Sequence, residues 1–129
     1  MSDKLRNLLR LLALALARLE SALDQPPNEF IRDSAIQRFE FTFELFWKSL
    51  KAYAEESGVE AYSPRDTFRT AFQLGLLQED GTWFQMLADR NLTSHTYNEA
   101  TASSIFAHLP AYLRRIREVQ VEMIRRGKS

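Results

Sequence analysis

The chain has no cysteine. That excludes a disulfide framework and any thiolate site, and it suits a reducing cytoplasm. It has no net charge, with 17 basic and 17 acidic side chains, so nothing attracts nucleic acid in general and any RNA contact must rest on a local patch. There is no glycine-rich phosphate loop. Its two histidines, His95 and His108, stand apart and match no metal-ligand spacing, so neither a metal nor another cofactor is expected. Long hydrophobic runs are also missing. The apolar stretch Leu11-Leu12-Ala13-Leu14-Ala15-Leu16-Ala17 is closed off by Arg10 and Arg18, too short for a membrane span and without a cleavage site. The expectation is a soluble, cytoplasmic protein with no membrane association. No strand-like alternation, internal repeat or low-complexity segment is present.

What remains is helical periodicity over 129 residues, enough for one domain, 1–129, with a core of its own. The first helix runs from about Asp3 to Asp24, with Leu5, Leu8, Leu9, Leu12, Leu16, Leu19 and Leu23 on one stripe and Leu11 and Leu14 partly outside it. Gln25-Pro26-Pro27-Asn28 ends it, and Asn28 caps a second helix that reaches about Ser57 before Gly58. On that helix Ala35, Ile36, Phe39, Phe43, Phe46, Leu50 and Tyr53 form the main core face. A patchier strip of Arg38, Phe41, Leu45 and Ala52 lies opposite, while Gln37, Glu40, Glu44, Lys48 and Lys51 fill the polar edge. We read the second strip as an interface with another subunit; packing on a neighbouring helix of the same chain is the alternative.

Ser63-Pro64-Arg65-Asp66 starts a short third helix. Arg65 and Arg69 lie four apart on it, a candidate phosphate or RNA patch beside the plainer reading of a solvated pair. A turn at Asp80-Gly81 opens a fourth helix from about Thr82. Thr96-Tyr97-Asn98-Glu99 has the form of a capping box for the next. The last helix carries Ile105, Leu109, Leu113, Ile116, Val119 and Met123, with a kink expected near Pro110. Arg114, Arg115, Arg117, Arg125, Arg126 and Lys128 make its end basic, which dipole complementarity explains more readily than an RNA-binding tail. The fold expected is all-α: an up-and-down helical bundle of about five helices, paired as a two-fold dimer.

The chemistry concentrates in Arg90-Asn91-Leu92-Thr93-Ser94-His95-Thr96-Tyr97, where one helix ends and another begins. Arginine presents a planar fork of donors that matches a phosphate, and histidine gives and takes protons near neutral pH. At this spacing the two can converge on one ligand. Ser94 and His95 are adjacent and point apart, so they are no nucleophile–base pair. What is left is proton transfer plus phosphate stabilisation, the minimum for metal-independent RNA cleavage through the 2′-hydroxyl. One copy supplies a single histidine to the site, and a dimer bringing two copies into one cleft would supply both acid and base. The bland alternatives are an Arg90 paired with Asp89 or Glu99, a capping His95 and a packing Tyr97.

Arg-x4-His-x-Tyr resembles the signature of the HEPN superfamily in its HepT-like toxin form. Together with Arg38-Phe39-Glu40-Phe41-Thr42-Phe43-Glu44-Leu45-Phe46-Trp47-Lys48, Ser63-Pro64-Arg65 and Asp89, the chain is similar to nucleotidyltransferase substrate-binding proteins over nearly its whole length. The resemblance implies a homodimer whose motifs face a shared groove. It implies Arg90 and His95 as ribonuclease residues, with Asn91 assisting, and Tyr97 as acceptor of AMP from a cognate small nucleotidyltransferase, the added phosphate blocking the site beside Arg90. Two functions follow as expectations: a ribonuclease toxin restrained by that partner, or a non-catalytic subunit that docks on the nucleotidyltransferase and helps it hold substrate. A helical assembly protein without a nucleotide role is the third.

Overall fold

Helices in this chain begin where a short polar side chain can satisfy the free amides of a first turn. In the computed structural model, which describes residues 1–127, α1 spans Asp3–Leu23, α2 Glu29–Glu56, α3 Pro64–Gln73, α4 Thr82–Asn91 and α5 Glu99–Gly127, with a 3-10 turn at Thr93–His95. Ser2 caps α1 by accepting from the Leu5 amide, Asn28 caps α2 through Ile31, and Ser63 caps α3 through Asp66. Gly58 follows α2 at φ 83° and Gly75 follows α3 at φ 73°, left-handed positions that carry no steric cost for glycine.

The expected capping box at Thr96 does not form. Asn98 takes the capping role, its Oδ1 accepting from the Thr101 amide at 3.0 Å. Glu99 instead reaches across to Arg32 on α2, where two hydrogen bonds of 2.6 and 3.2 Å form a fork. A bidentate partner of opposite charge outcompetes a single backbone amide for a carboxylate. The last helix continues through Pro110 in one piece.

Cross-helix contacts fix the topology. Lys4 meets Glu55, and Arg38 donates to the Arg18 carbonyl, so α1 and α2 are antiparallel. Arg32 meets Glu99 near the start of α2, and Arg126 meets the Tyr53 hydroxyl near its end, so α2 and α5 run in the same direction. α3 and α4 together carry the chain back between them. The result is an up-and-down bundle whose third member is broken into two short helices, and the second of them, α4, ends at a corner before α5 begins.

The core is aromatic at its centre. Phe39, Phe43, Phe46, Phe68, Trp83 and Tyr112 are all fully buried. Phe46 stands 5.5 Å from Trp83, and Phe39 stacks on Tyr112 at 5.6 Å, tying α2 to α4 and α5. Each such ring contributes about 1.5–3 kcal/mol by leaving water. The second strip of α2 divides: Ala52 is buried and Leu45 packs partly on the core within the same chain, whereas Phe41 remains 56% exposed.

Four arginines of the basic end of α5 are used in ion pairs within the chain, while Arg114 is exposed. Arg115 pairs with Asp80 at 2.7 Å and lies over the Trp83 ring, and Arg117 pairs with Glu20 at 2.8 Å. Arg125 and Arg126 both hold Glu122, whose carboxyl they draw down to about 2. Lys128 lies outside the described residues. No helix among them is long and apolar enough to cross a membrane.

Candidate functional site

α4 ends at Asn91, and the chain turns at once. The Leu92 amide still donates to the Ala88 carbonyl, the Thr93 hydroxyl donates to the Arg90 carbonyl at 2.8 Å, and the His95 amide donates to the Leu92 carbonyl at 2.9 Å. Thr93 is buried and pins this turn. Arg90 and His95 therefore do not share one helix face, contrary to the simple spacing argument. No hydrogen bond joins them among the described residues.

Arg90 occupies the last turn of α4, where a cation complements the helix dipole. Its Nη2 donates to Glu44 Oε1 of α2 at 3.3 Å, and the other Glu44 oxygen accepts from the Trp47 indole at 3.2 Å. The partner is thus neither Asp89 nor Glu99. The Arg90 side chain stays 31% exposed, and its buried Nε has no hydrogen-bond partner. Donor capacity therefore remains on the guanidinium. Asn91, the next residue, is exposed.

His95 and Tyr97 do come together. The imidazole Nδ1 lies 3.3 Å from the Tyr97 hydroxyl, and the rings meet edge to face at 5.9 Å. Both residues are exposed, Tyr97 at 83%. A phenol that open to solvent has no packing role, so the reading of Tyr97 as a residue packed on the next turn fails.

Behind the corner lies a polar cluster that the sequence did not announce. Asp89 is buried, and its Oδ2 accepts from the Tyr112 hydroxyl at 2.5 Å and contacts His108 Nδ1 at 2.8 Å. Burial first, and then the Asp89 carboxylate, push the Tyr112 phenol well above its usual range. His108 and Tyr112 sit four apart on α5, a spacing that shares one face. Their partner is 19 and 23 residues away, and Glu44 is 46 residues from Arg90; local spacing carries no signal for either pairing.

The Arg65 guanidinium lies over the Phe84 ring at 5.2 Å from its centre, which ties α3 to α4 by a cation–π contact. Arg69 is exposed. Neither touches Arg90 or His95. No group of three or more His, Cys, Asp or Glu among the described residues is placed to share a metal ion.

This arrangement, an all-α bundle with an arginine, a histidine and a tyrosine at a helix corner, is of the nucleotidyltransferase substrate-binding class. The family described as nucleotidyltransferase substrate binding protein like matches residues 7–125, and the chain belongs to it. A Haemophilus influenzae protein named "Probable ribonuclease HepT" is 33% identical over 84 residues, covering 61% of this chain and 58% of that protein. Thus the chain spans little more than half the length of that relative. A crystal structure from Thermus thermophilus is 44% identical with TM-score 0.81, covering 86% of this chain and 97% of that one. A Haemophilus influenzae structure, reported as the fold of a substrate binding domain of a nucleotidyltransferase, is 26% identical with TM-score 0.77, covering 87% and 96%. The fold also matches a tri-AMPylated Shewanella oneidensis HEPN toxin in complex with MNT antitoxin, at TM-score 0.76 and 17% identity, covering 93% and 96%.

Proposed function

We propose that this chain is the helical partner of a small nucleotidyltransferase in a cytoplasmic two-component, toxin–antitoxin-like pair. Arg90 and His95 bind RNA phosphate and cleave RNA without metal, Asn91 assists, and nucleotidylation of Tyr97 switches the site off. The observation that carries this reading is the contact between His95 Nδ1 and the Tyr97 hydroxyl at 3.3 Å on an exposed corner. A group attached to that oxygen lands against the imidazole itself. The block therefore acts on His95 first, with Arg90 affected through its remaining donors.

In cleavage, His95 takes the 2′-hydroxyl proton, the freed oxygen attacks the adjacent phosphorus, and the Arg90 guanidinium neutralises the developing charge. A second copy of the site, brought in by a homodimer through α2 and the motif cleft, supplies the acid. Arg65 and Arg69 offer a separate phosphate contact on α3, apart from Arg90 and His95. The relatives named for a ribonuclease and for a toxin held by its antitoxin support this assignment.

A docking subunit without catalysis is the second reading. Favouring it, Arg115, Arg117, Arg125 and Arg126 are engaged in ion pairs, so among the described residues these four arginines add little to a basic surface for RNA. The test is cleavage of a single-stranded RNA pool by metal-stripped protein, wild type beside His95→Ala. Cutting by wild type alone supports the ribonuclease; no cutting by either moves the assignment to the docking subunit.

A further inference from the structure

We propose that His95 is the proton acceptor for Tyr97 when its hydroxyl is nucleotidylated, so that one imidazole serves both RNA cleavage and the reaction that silences it. This rests on the reading that Tyr97 receives a nucleotide. A protonated phenol is a weak nucleophile and gains strength from an adjacent base. Here that base is in place, because His95 Nδ1 is 3.3 Å from the hydroxyl. Apo geometries of this kind are often slightly loose and tighten in the reacting complex. Among the described residues, neither side chain has any other hydrogen-bond or ion-pair partner, and none of their carboxylates is hydrogen-bonded to Tyr97. Arg90 is turned to Glu44 at 3.3 Å, so the phenol is not paired with the guanidinium. With Tyr97 83% exposed, a second active site can approach the oxygen without displacing the imidazole.

The partner nucleotidyltransferase supplies a nucleoside triphosphate. The Tyr97 oxygen bonds to the α-phosphorus while the bond from that phosphorus to the bridging oxygen of the β-phosphate breaks. Its electron pair leaves with pyrophosphate. The phenol proton passes to His95 Nδ1, and the imidazolium then returns it to solvent. Loss of His95 would therefore abolish RNA cleavage and hinder modification together, so no variant could escape modification by this route and remain toxic.

The experiment uses the full chain, a saturating concentration of its cognate small nucleotidyltransferase and ATP, with initial rates read by intact mass for wild type, His95→Ala and Tyr97→Phe. Wild type should gain nucleotide and Tyr97→Phe none. His95→Ala should be about 100-fold slower at neutral pH, with its rate climbing steeply toward about pH 9 and partly restored by added imidazole. His95→Ala modified at the wild-type rate, with Tyr97→Phe still blank, overturns the base role and leaves the Tyr97 reading standing. A slow His95→Ala that responds to neither alkali nor imidazole also overturns the base role, since the defect then lies in docking. An unmodified wild type, or Tyr97→Phe modified like wild type, overturns the reading beneath both.

Discussion

The Tyr112 hydroxyl donates to Asp89 Oδ2 at 2.5 Å from a fully buried position on α5. The residue it anchors is the immediate neighbour of Arg90, so this bond ties the last turn of α4 to the long helix behind it. A hydrogen bond to a charged group contributes about 1.5–3 kcal/mol. Tyr112→Phe should therefore lower unfolding free energy by about 1–2 kcal/mol, because His108 still shares the carboxylate. Urea denaturation measures it; an unchanged midpoint would show that the bond contributes nothing.

Alkaline pH should expose the same residue. Its folded-state phenol is pushed above the usual range by burial and by Asp89. Stability from a group whose folded value is raised is fully present below the unfolded value, about 10 for tyrosine, and falls as pH rises past it. The unfolded chain releases the proton there and the folded one does not. Wild type should lose up to about 1.4 kcal/mol per pH unit above about 10 from this group, and Tyr112→Phe should lack that loss. Parallel stability curves for the two proteins between about pH 8 and 11 would contradict the assignment.

Helix identities and the main core face were legible because period and caps are local properties. Ser63-Pro64 and Asn28 announced helix starts, and Phe39, Phe43 and Phe46 announced the buried face of α2. The Thr96 capping box misled because Glu99 has a better partner in Arg32, 67 residues away. For the same reason Glu44 read as an ordinary polar-edge residue and Asp89 only as an alternative partner for Arg90. Motif spacing singled out Arg90, His95 and Tyr97 as candidates but not who touches whom, since the 3-10 turn at Thr93–His95 reorients the chain between the first and the second.

At the centre of the core, Phe46 lies 5.5 Å from Trp83 and 6.2 Å from Phe68. Replacing it with alanine leaves a cavity between three helices and should cost about 3–5 kcal/mol. Thermal unfolding would register this as a large fall in midpoint. A shift of only a degree or two would mean that the surrounding rings collapse into the space.

Glu44→Gln separates holding Arg90 from folding the chain. The pair is partly exposed, with Glu44 at 39% and Arg90 at 31% of side-chain surface, so stability should change by less than about 1 kcal/mol. Cleavage should fall by about tenfold or more, because a guanidinium that loses its anchor no longer waits where charge develops. Equal cleavage by Glu44→Gln and wild type would reduce Glu44 to a surface partner.

The proposed dimer makes its own demand on α2. Phe41 and Leu14 are each 56% exposed, and with Ala15, Arg18 and Arg38 they line a hollow of about 170 Å³ between α1 and α2. In a two-fold interface the same patch is used by both copies, so one substitution acts twice. Phe41→Asp places two like charges in the contact and leaves the monomer's core untouched. Its unfolding free energy should stay within about 0.5 kcal/mol of wild type, as for a surface change. Light scattering should show twice the chain mass for wild type and the single mass for Phe41→Asp at equal concentration. RNA cleavage should disappear with the dimer, since each site then has only its own histidine. A wild-type monomer that still cuts RNA would remove the second copy from the mechanism.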